Sequence, residues 1–422
     1  MRGKLRYALR TLVGPWLVLP AVVMEIAAFF QRGMPWRGEG MWTVDWFGIS
    51  LFILGPLAAG AAAVDAARLS RPGNVHLVVS VPRPARAYLR AAAWCAGPLV
   101  VLHLLTITAA FVIGEVTKPS ISWLLILSSA LIQCAAIVWY VALGSAVGRF
   151  ANPLLAGIAA GVGAFLLYFP LAGAFNSEPR FGLLALGGAT ITMVGKTYDP
   201  GYLAGQAVMF AATSVLFLLL PLRIRSGYRV PEIKGIIGIA LTIAMIVTAP
   251  RVLPPWRTPD DDPKPPTLCT ESSPVVCIYW EHRRYADLFV PQLQELIRAA
   301  QANGYSALVP EKVIEASRSY EPSGPGVMRL WLPAEVYEEG RFPLEELAYF
   351  LISPSHCAAM REPSPNVDYS AFDFRLYSVL ATWLHLVGTQ LERSPVEPEL
   401  LDPAEVEQIM RDFDRCNLDG RA

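Results

Sequence analysis

Seven long apolar stretches, parted by short polar segments, occupy residues 1–253: 12–30, 46–64, 91–113, 123–147, 153–175, 202–222 and 233–253. Each approaches the ~20 residues that a helix, rising about 1.5 Å per residue, needs to cross about 30 Å of hydrocarbon. The stretches 91–113, 123–147 and 153–175 hold no Asp, Glu, Lys or Arg. The seventh is the weakest, because its uncharged core runs only from Gly235 to Pro250. It reaches spanning length if Lys234 and Arg251 extend their charged ends to the interfaces. An eighth apolar segment, 181–195, is short, rich in glycine and bounded by Arg180 and Lys196. It reads as a re-entrant or interfacial segment.

Beyond residue 253 the pattern changes. Pro254, Pro255, Pro259, Pro263, Pro265 and Pro266 make residues 254–268 a stiff, extended linker. Residues 269–422 then alternate apolar and polar positions as a water-soluble domain does. A short strand is predicted at Ile278–Trp280 and another at Val327–Leu332. An amphipathic helix is predicted over Arg284–Asn303, with Leu288, Leu293, Leu296, Ile297 and Ala300 on one face. Leu344–Ile352 and Phe374–Leu391 also read as helices. Asp402–Cys416 carries the clearest helix start: Asp402 as cap, Pro403 in the first turn and Glu405 completing the capping box. The pattern predicts a polytopic α-helical membrane protein with a C-terminal α+β domain.

Composition agrees. The chain is 54% hydrophobic and 17% charged, against roughly 45–50% and about 25% in soluble domains. That balance excludes a disordered chain, a secreted disulfide scaffold and a nucleic-acid binder. The zero formal charge conceals a division: residues 1–250 hold 19 Lys and Arg against 8 Asp and Glu, and residues 251–422 hold 16 against 27. With seven spans and an inside N-terminus, fourteen basic residues face the cytoplasm and five face outward, as the positive-inside rule asks. The first span is too long for a signal-peptide core, and no small-residue cleavage site follows it. The N-terminus is thus expected in the cytoplasm, the C-terminal domain outside the cell and the whole chain in the cell membrane. Cys269, Cys277, Cys357 and Cys416 all lie in that outer domain, in a compartment that permits disulfides. Of the three pairings four cysteines allow, the most local joins Cys269 to Cys277 and Cys357 to Cys416. Cys95 and Cys134 fall inside spans and read as small apolar residues.

Candidate chemistry is sparse. The segment GGATITMVGKT, 187–197, lacks the first glycine of a phosphate-binding loop, since Thr190 stands there. The tail has His282, His356 and His385 but no H-E-x-x-H spacing, so neither catalytic residues nor a metal site are expected. Glu25 lies in the outer half of the first span, where an ionisable group is a candidate for a transport pathway. A plain interhelical hydrogen bond is the alternative. His103 reads as a packing and hydrogen-bonding residue, and Gly157 with Gly161 as a close-packing pair.

The most informative loop is VDAARLSRPGNVHLVVSVPRPARAYLRA, Val64–Ala91. Asp65, Arg68 and Arg71 lead into a turn at Pro72–Gly73, an apolar stretch follows, and Pro82, Arg83 and Arg86 close it. This loop resembles the segment between the second and third spans of type-2 ATP-binding-cassette (ABC) exporter permeases, especially actinobacterial ones. There an acidic and basic run precedes a short coupling helix and a Ser-x-Pro-Arg-like end, here Ser80-Val81-Pro82-Arg83. The preceding GPLAAGAAAVDAAR (55–68), the basic start MRGKLRYALRTL and the outer loop 176–201 are similar to the same family. The resemblance implies a six-span permease core over 1–222, followed by a cytoplasmic loop and extra span at 223–253. It implies a permease subunit without an ATPase motif, so ATP and Mg belong to a separate cytoplasmic ABC ATPase. It implies a homodimer or a sister permease in the lipid bilayer, exporting a small molecule, peptide or lipid-like substrate. Coupling to the ATPase falls on Asp65, Arg68, Arg71, Pro82, Arg83 and Arg86. The tail is loosely similar to degenerate, metal-free relatives of gluzincin peptidases fused to such permeases. The alternative is a membrane sensor or interaction protein with an outer receptor domain.

Overall fold

The computed structural model describes residues 8–71, 74, 85–150, 152–171, 184–219, 222–225, 228–231, 240, 244, 256–271, 273–322, 324, 326–361, 367–392 and 394–420. The chain divides into two compact units. One comprises residues 1–31, 39–193 and 197–259; the other comprises 32–38, 194–196 and 260–422.

The first unit is helical. Its long elements are α1 (Val18–Phe30), α2 (Gly40–Gly48), α3 (Leu51–Leu69), α4 (Ala85–Ile113), α5 (Trp123–Phe150), α6 (Pro153–Leu171) and α7 (Pro200–Leu219). Among the described residues five helical stretches are long and apolar enough to cross a membrane: Gly14–Gly33, Leu51–Leu69, Arg86–Ile113, Trp123–Phe150 and Pro200–Leu218. A shorter apolar run, Leu155–Tyr168, lies within α6. Leu105, Val112, Leu124, Leu131, Ile158 and Leu166 are exposed on the outside of this unit, where hydrocarbon rather than water would suit them. The window 233–253 lies outside the described residues apart from Ala240 and Ala244. Leu222–Arg225 and Tyr228–Pro231 (β1, β2) form an antiparallel pair.

Two predicted boundaries shift. The second span does not run from 46 to 64. The separate helix α2, buried along its length, ends at Gly48, and α3 carries on to Leu69 with Asp65 inside it. The reason is that Asp65 is not solvated at a loop end: both of its oxygens accept backbone N–H groups, which offset part of the cost of burying it. The third span starts at Ala85, six residues earlier than predicted.

Small residues set the packing. A Cβ on Gly144 of α5 would lie 2.0 Å from the Ala59 carbonyl oxygen of α3, and one on Gly148 would lie 2.2 Å from that of Ala63. The two backbones are therefore in direct contact. Gly157 and Gly161 of α6 lie against a neighbouring face of α3, at Gly60 and Pro56, which is the packing role their spacing predicts.

The second unit is α+β. A four-stranded sheet in the order β3 (Leu268–Cys269), β4 (Val275–Ile278), β5 (Lys312–Glu315), β6 (Val327–Leu330) pairs β3 with β4 antiparallel and the other neighbours parallel. Its helices are α8 (Ala286–Ala302), α9 (Ala334–Glu339), α10 (Leu344–Ile352), α11 (Ala358–Arg361), α12 (Tyr369–Leu386) and α13 (Pro403–Asp414). The strand predicted at Ile278–Trp280 sits earlier, because Trp280–Tyr285 coils into a 3-10 turn that leads into α8. On α8 the buried face is Phe289, Leu293, Leu296, Ile297 and Ala300, with Phe289 in place of the half-buried Leu288. α12 begins at Tyr369 because Asp368 caps it. At α13 the capping box of Asp402 and Glu405 forms as the sequence predicts. Disulfides join Cys269 to Cys277 and Cys357 to Cys416.

Candidate functional site

The first unit buries a chain of polar side chains within its apolar helices. Glu25 on α1 is 2% exposed, and His103 on α4 and Gln133 on α5 are fully buried. His103 Nδ1 lies 3.0 Å from Glu25 Oε1, and its Nε2 lies 3.0 Å from Gln133 Oε1. Ser50, between α2 and α3, places its hydroxyl 3.0 Å from the same Glu25 oxygen. The Gln133 amide donates to the carbonyls of Val44 and Leu186. Four helical elements and one loop thus meet on a single hydrogen-bonded line.

That loop, residues 184–193, is non-helical and lies along α2. Irregular backbone among apolar helices is tolerated only where protein groups satisfy it. Here Asp45 accepts from Ala189 N–H, Glu39 accepts from Met193 N–H and the Thr192 hydroxyl, and Trp42 donates to the Ala189 carbonyl. Gly187 passes so close to α2 that a Cβ would fall 2.0 Å from the Asp45 carbonyl oxygen. Gly187 of the 187–197 segment therefore serves close approach to α2.

Asp45 has a second partner. Arg257, from the predicted linker, is 8% exposed and pairs with Asp45 at 2.7 Å. It also donates to the Ser129 hydroxyl and covers the Tyr198 ring. Burial works against the Arg257 charge, but Tyr198 and Asp45 outweigh it and raise the guanidinium pKa. Residues 256–259 are thus fixed to the first unit, with Arg257 and Pro259 carbonyls accepting from Asp199 and Thr197.

The residues assigned to coupling separate into three groups. Asp65 is buried, holding the amides of Val13 (2.8 Å) and Gly14 (2.9 Å) at the start of the first helix. Arg68 donates to the Thr11 carbonyl at 3.2 Å. Arg71 and Arg86 are exposed at the two ends of the loop, while Pro82 and Arg83 lie outside the described residues. The loop ends meet through Ser70 and Tyr88, whose hydroxyls are 2.8 Å apart. Arg149 of α5 stacks on Tyr88 and donates to the Leu218 carbonyl of α7. None of Ser70, Tyr88 and Arg149 stands out in the sequence beyond its place at a span end.

In the second unit His356, Cys357 and Cys416 bring three donor atoms within 4.8 Å of one another. Both sulfurs are spent in the disulfide, so no thiolate pair is on offer to a metal. His282 is buried against Glu315, a structural pair that also accepts the Tyr279 N–H. A cavity of about 290 Å³ opens between the start of β6, the end of α10 and α13, with Arg329, His356 and Arg411 among its polar walls. Compared with known protein families, with characterised proteins and with solved structures, the chain matches none.

Proposed function

We propose that this chain is the membrane-spanning subunit of an ABC exporter, driven by a separate cytoplasmic ATPase. The observation that carries the reading is the anchoring of the Val64–Ala91 loop. Asp65 and Arg68 tie its start to the first helix, and Ser70, Tyr88 and Arg149 tie its ends to α5 and α7. A push on this loop, which joins α3 to α4, would reach three further helices through these polar contacts, as a two-state packing change requires. The exposed Arg71 and Arg86 supply charge for an acidic partner surface.

The same reading puts the second unit outside the cell. α5 and α7 share one end at Arg149 and Leu218, and Arg257 binds Ser129 and Tyr198 near their other ends. Leu219 lies at the first end and Trp256 beside the second, which supports a seventh crossing between them. Glu25 faces the helix-lined interior on this reading. The cavity in the second unit supports a second one, in which the outer unit is a receptor and the membrane unit a sensor.

The test is the double substitution Arg83→Glu with Arg86→Glu. Twelve of fourteen inner charges remain, so insertion should be normal. ATP hydrolysis by the associated ATPase should lose its stimulation, because like charges now face each other. Normal insertion with unchanged stimulation refutes the docking assignment. An unmutated protein with which no ATPase co-purifies refutes the exporter reading.

A further inference from the structure

The protons of the Glu25–His103–Gln133 chain can be counted from its geometry. Gln133 Nε2 lies 2.9 Å from the Val44 carbonyl and 2.8 Å from that of Leu186. The reversed amide would set oxygen against two carbonyl oxygens, so Oε1 must be the atom facing His103. An acceptor 3.0 Å from His103 Nε2 requires hydrogen on that nitrogen. In a neutral ring, Nδ1 then holds a lone pair directed at Glu25 Oε1, also 3.0 Å away. A lone pair and a carboxylate repel, so one further proton lies between the two atoms.

The other Glu25 oxygen decides where it sits. Oε2 is buried and has no hydrogen-bond partner among the described residues. A carboxylate would leave half its charge on that bare oxygen, a far greater cost than burying a neutral carbonyl. The Ser50 hydroxyl serves only Oε1 and the Phe47 carbonyl. Among the described residues the helices that meet here place no other charge to offset it. α1 carries Glu25 alone; α2 carries Asp45, already paired with Arg257. Asp65 and Arg68 on α3, Arg86 on α4 and Arg149 on α5 lie fifteen or more residues along their helices from Ser50, His103 and Gln133, and Arg90 lies thirteen from His103, which is roughly 20 Å of helix or more.

We propose that Glu25 is a proton-binding site within the membrane unit. It carries the proton on Oε1, donates it to His103 Nδ1, and surrenders it only when α1 and α4 part and water enters. In that step the Glu25 O–H bond breaks, its electron pair stays on the carboxylate, and the proton passes to water. One proton is thereby tied to the separation of two helices. The proposal stands on the hydrogen bonding of the first unit and is independent of the exporter reading.

The test uses the full chain in lipid nanodiscs. An infrared difference spectrum of wild type minus Glu25→Gln at neutral pH should contain the carbonyl band of a protonated carboxylic acid. No such band would mean an ionised Glu25 and would overturn the proposal. If Glu25→Gln does not fold, solid-state NMR of the unsubstituted chain with 15N-labelled histidine gives the same answer. His103 should be neutral with hydrogen on Nε2; an imidazolium, or hydrogen on Nδ1 alone, overturns it. On transfer to D2O the carboxyl band should shift slowly, at the rate of helix opening. A shift complete on mixing would show a site already open to water, and would overturn the link to helix separation.

Discussion

Asp65 illustrates how a single residue's role depends on where its charge is satisfied. A carboxylate in the last turns of a helix is unfavourable to the helix dipole, yet this one is buried because two amides of the incoming chain need an acceptor. Asp65→Ala should lower the detergent-solubilised protein's thermal stability by about 1–3 kcal/mol for each amide left unpaired, while Arg71→Ala, at an exposed position, should leave it unchanged. The Asp45–Arg257 pair makes a second residue-scale prediction. Arg257→Met alone leaves a buried carboxylate without its partner and should cost about 3–5 kcal/mol. Adding Asp45→Asn should recover much of that loss in the same melting assay, and no recovery would mean that Arg257 acts through packing alone. In the second unit, burial and then Glu335, Glu339 and Glu345 raise the Glu346 pKa. A raised carboxyl favours the fold at low pH, and that contribution is lost as pH rises through the folded value. Glu346→Gln should therefore raise the melting temperature at neutral pH, with the gain vanishing in acid.

At the scale of elements, α3 is the axis of the first unit, flanked by α5 and α6 through glycines. Gly144→Ala places a methyl 2.0 Å from a backbone oxygen, so the helices must separate or the fold must weaken. Overpacking of this kind costs about 1–3 kcal/mol, and a stability equal to wild type would show that the seam yields freely. In the second unit, α13 is held by the Cys357–Cys416 bridge and by Arg375 pairing with Asp412. Replacing both cysteines with serine should cost about 2–5 kcal/mol and expose α13 to limited proteolysis before the rest of the unit. Mass mapping of the unreduced chain should recover the 269–277 and 357–416 peptides as linked pairs.

At the scale of the whole molecule the test is topological. Asp262 and Asn74 are both exposed, and the proposed orientation puts them on opposite sides of the membrane. On intact cells an impermeant thiol reagent should label Asp262→Cys and spare Asn74→Cys. The reverse pattern would invert the molecule and would remove the loop from the reach of any cytoplasmic ATPase.

Five of the apolar runs, the capping box at Asp402 and the glycine pair at 157 and 161 were legible in the sequence, because each is a local signal with a period or fixed spacing. The cysteine pairing was legible too, since the local choice among three is the one formed. Glu25 and His103 were visible as ionisable groups within apolar spans. Their meeting was not, for they are 78 positions apart and only the packing of α1 on α4 brings them together. Asp45 and Arg257, 212 positions apart, gave no signal at all. An acidic residue near a span end and a basic one in a proline-rich linker each read as solvated until tertiary structure buries both. The short strand Lys312–Glu315 was missed for the same reason: four residues carry too little periodicity, and its place between β4 and β6 is decided by pairing. Sequence determines what each segment of this chain can bury, through hydrophobic period and local hydrogen bonding. Which polar groups are buried together is decided only when the helices pack, because the desolvation cost of each is offset by a partner remote in the chain.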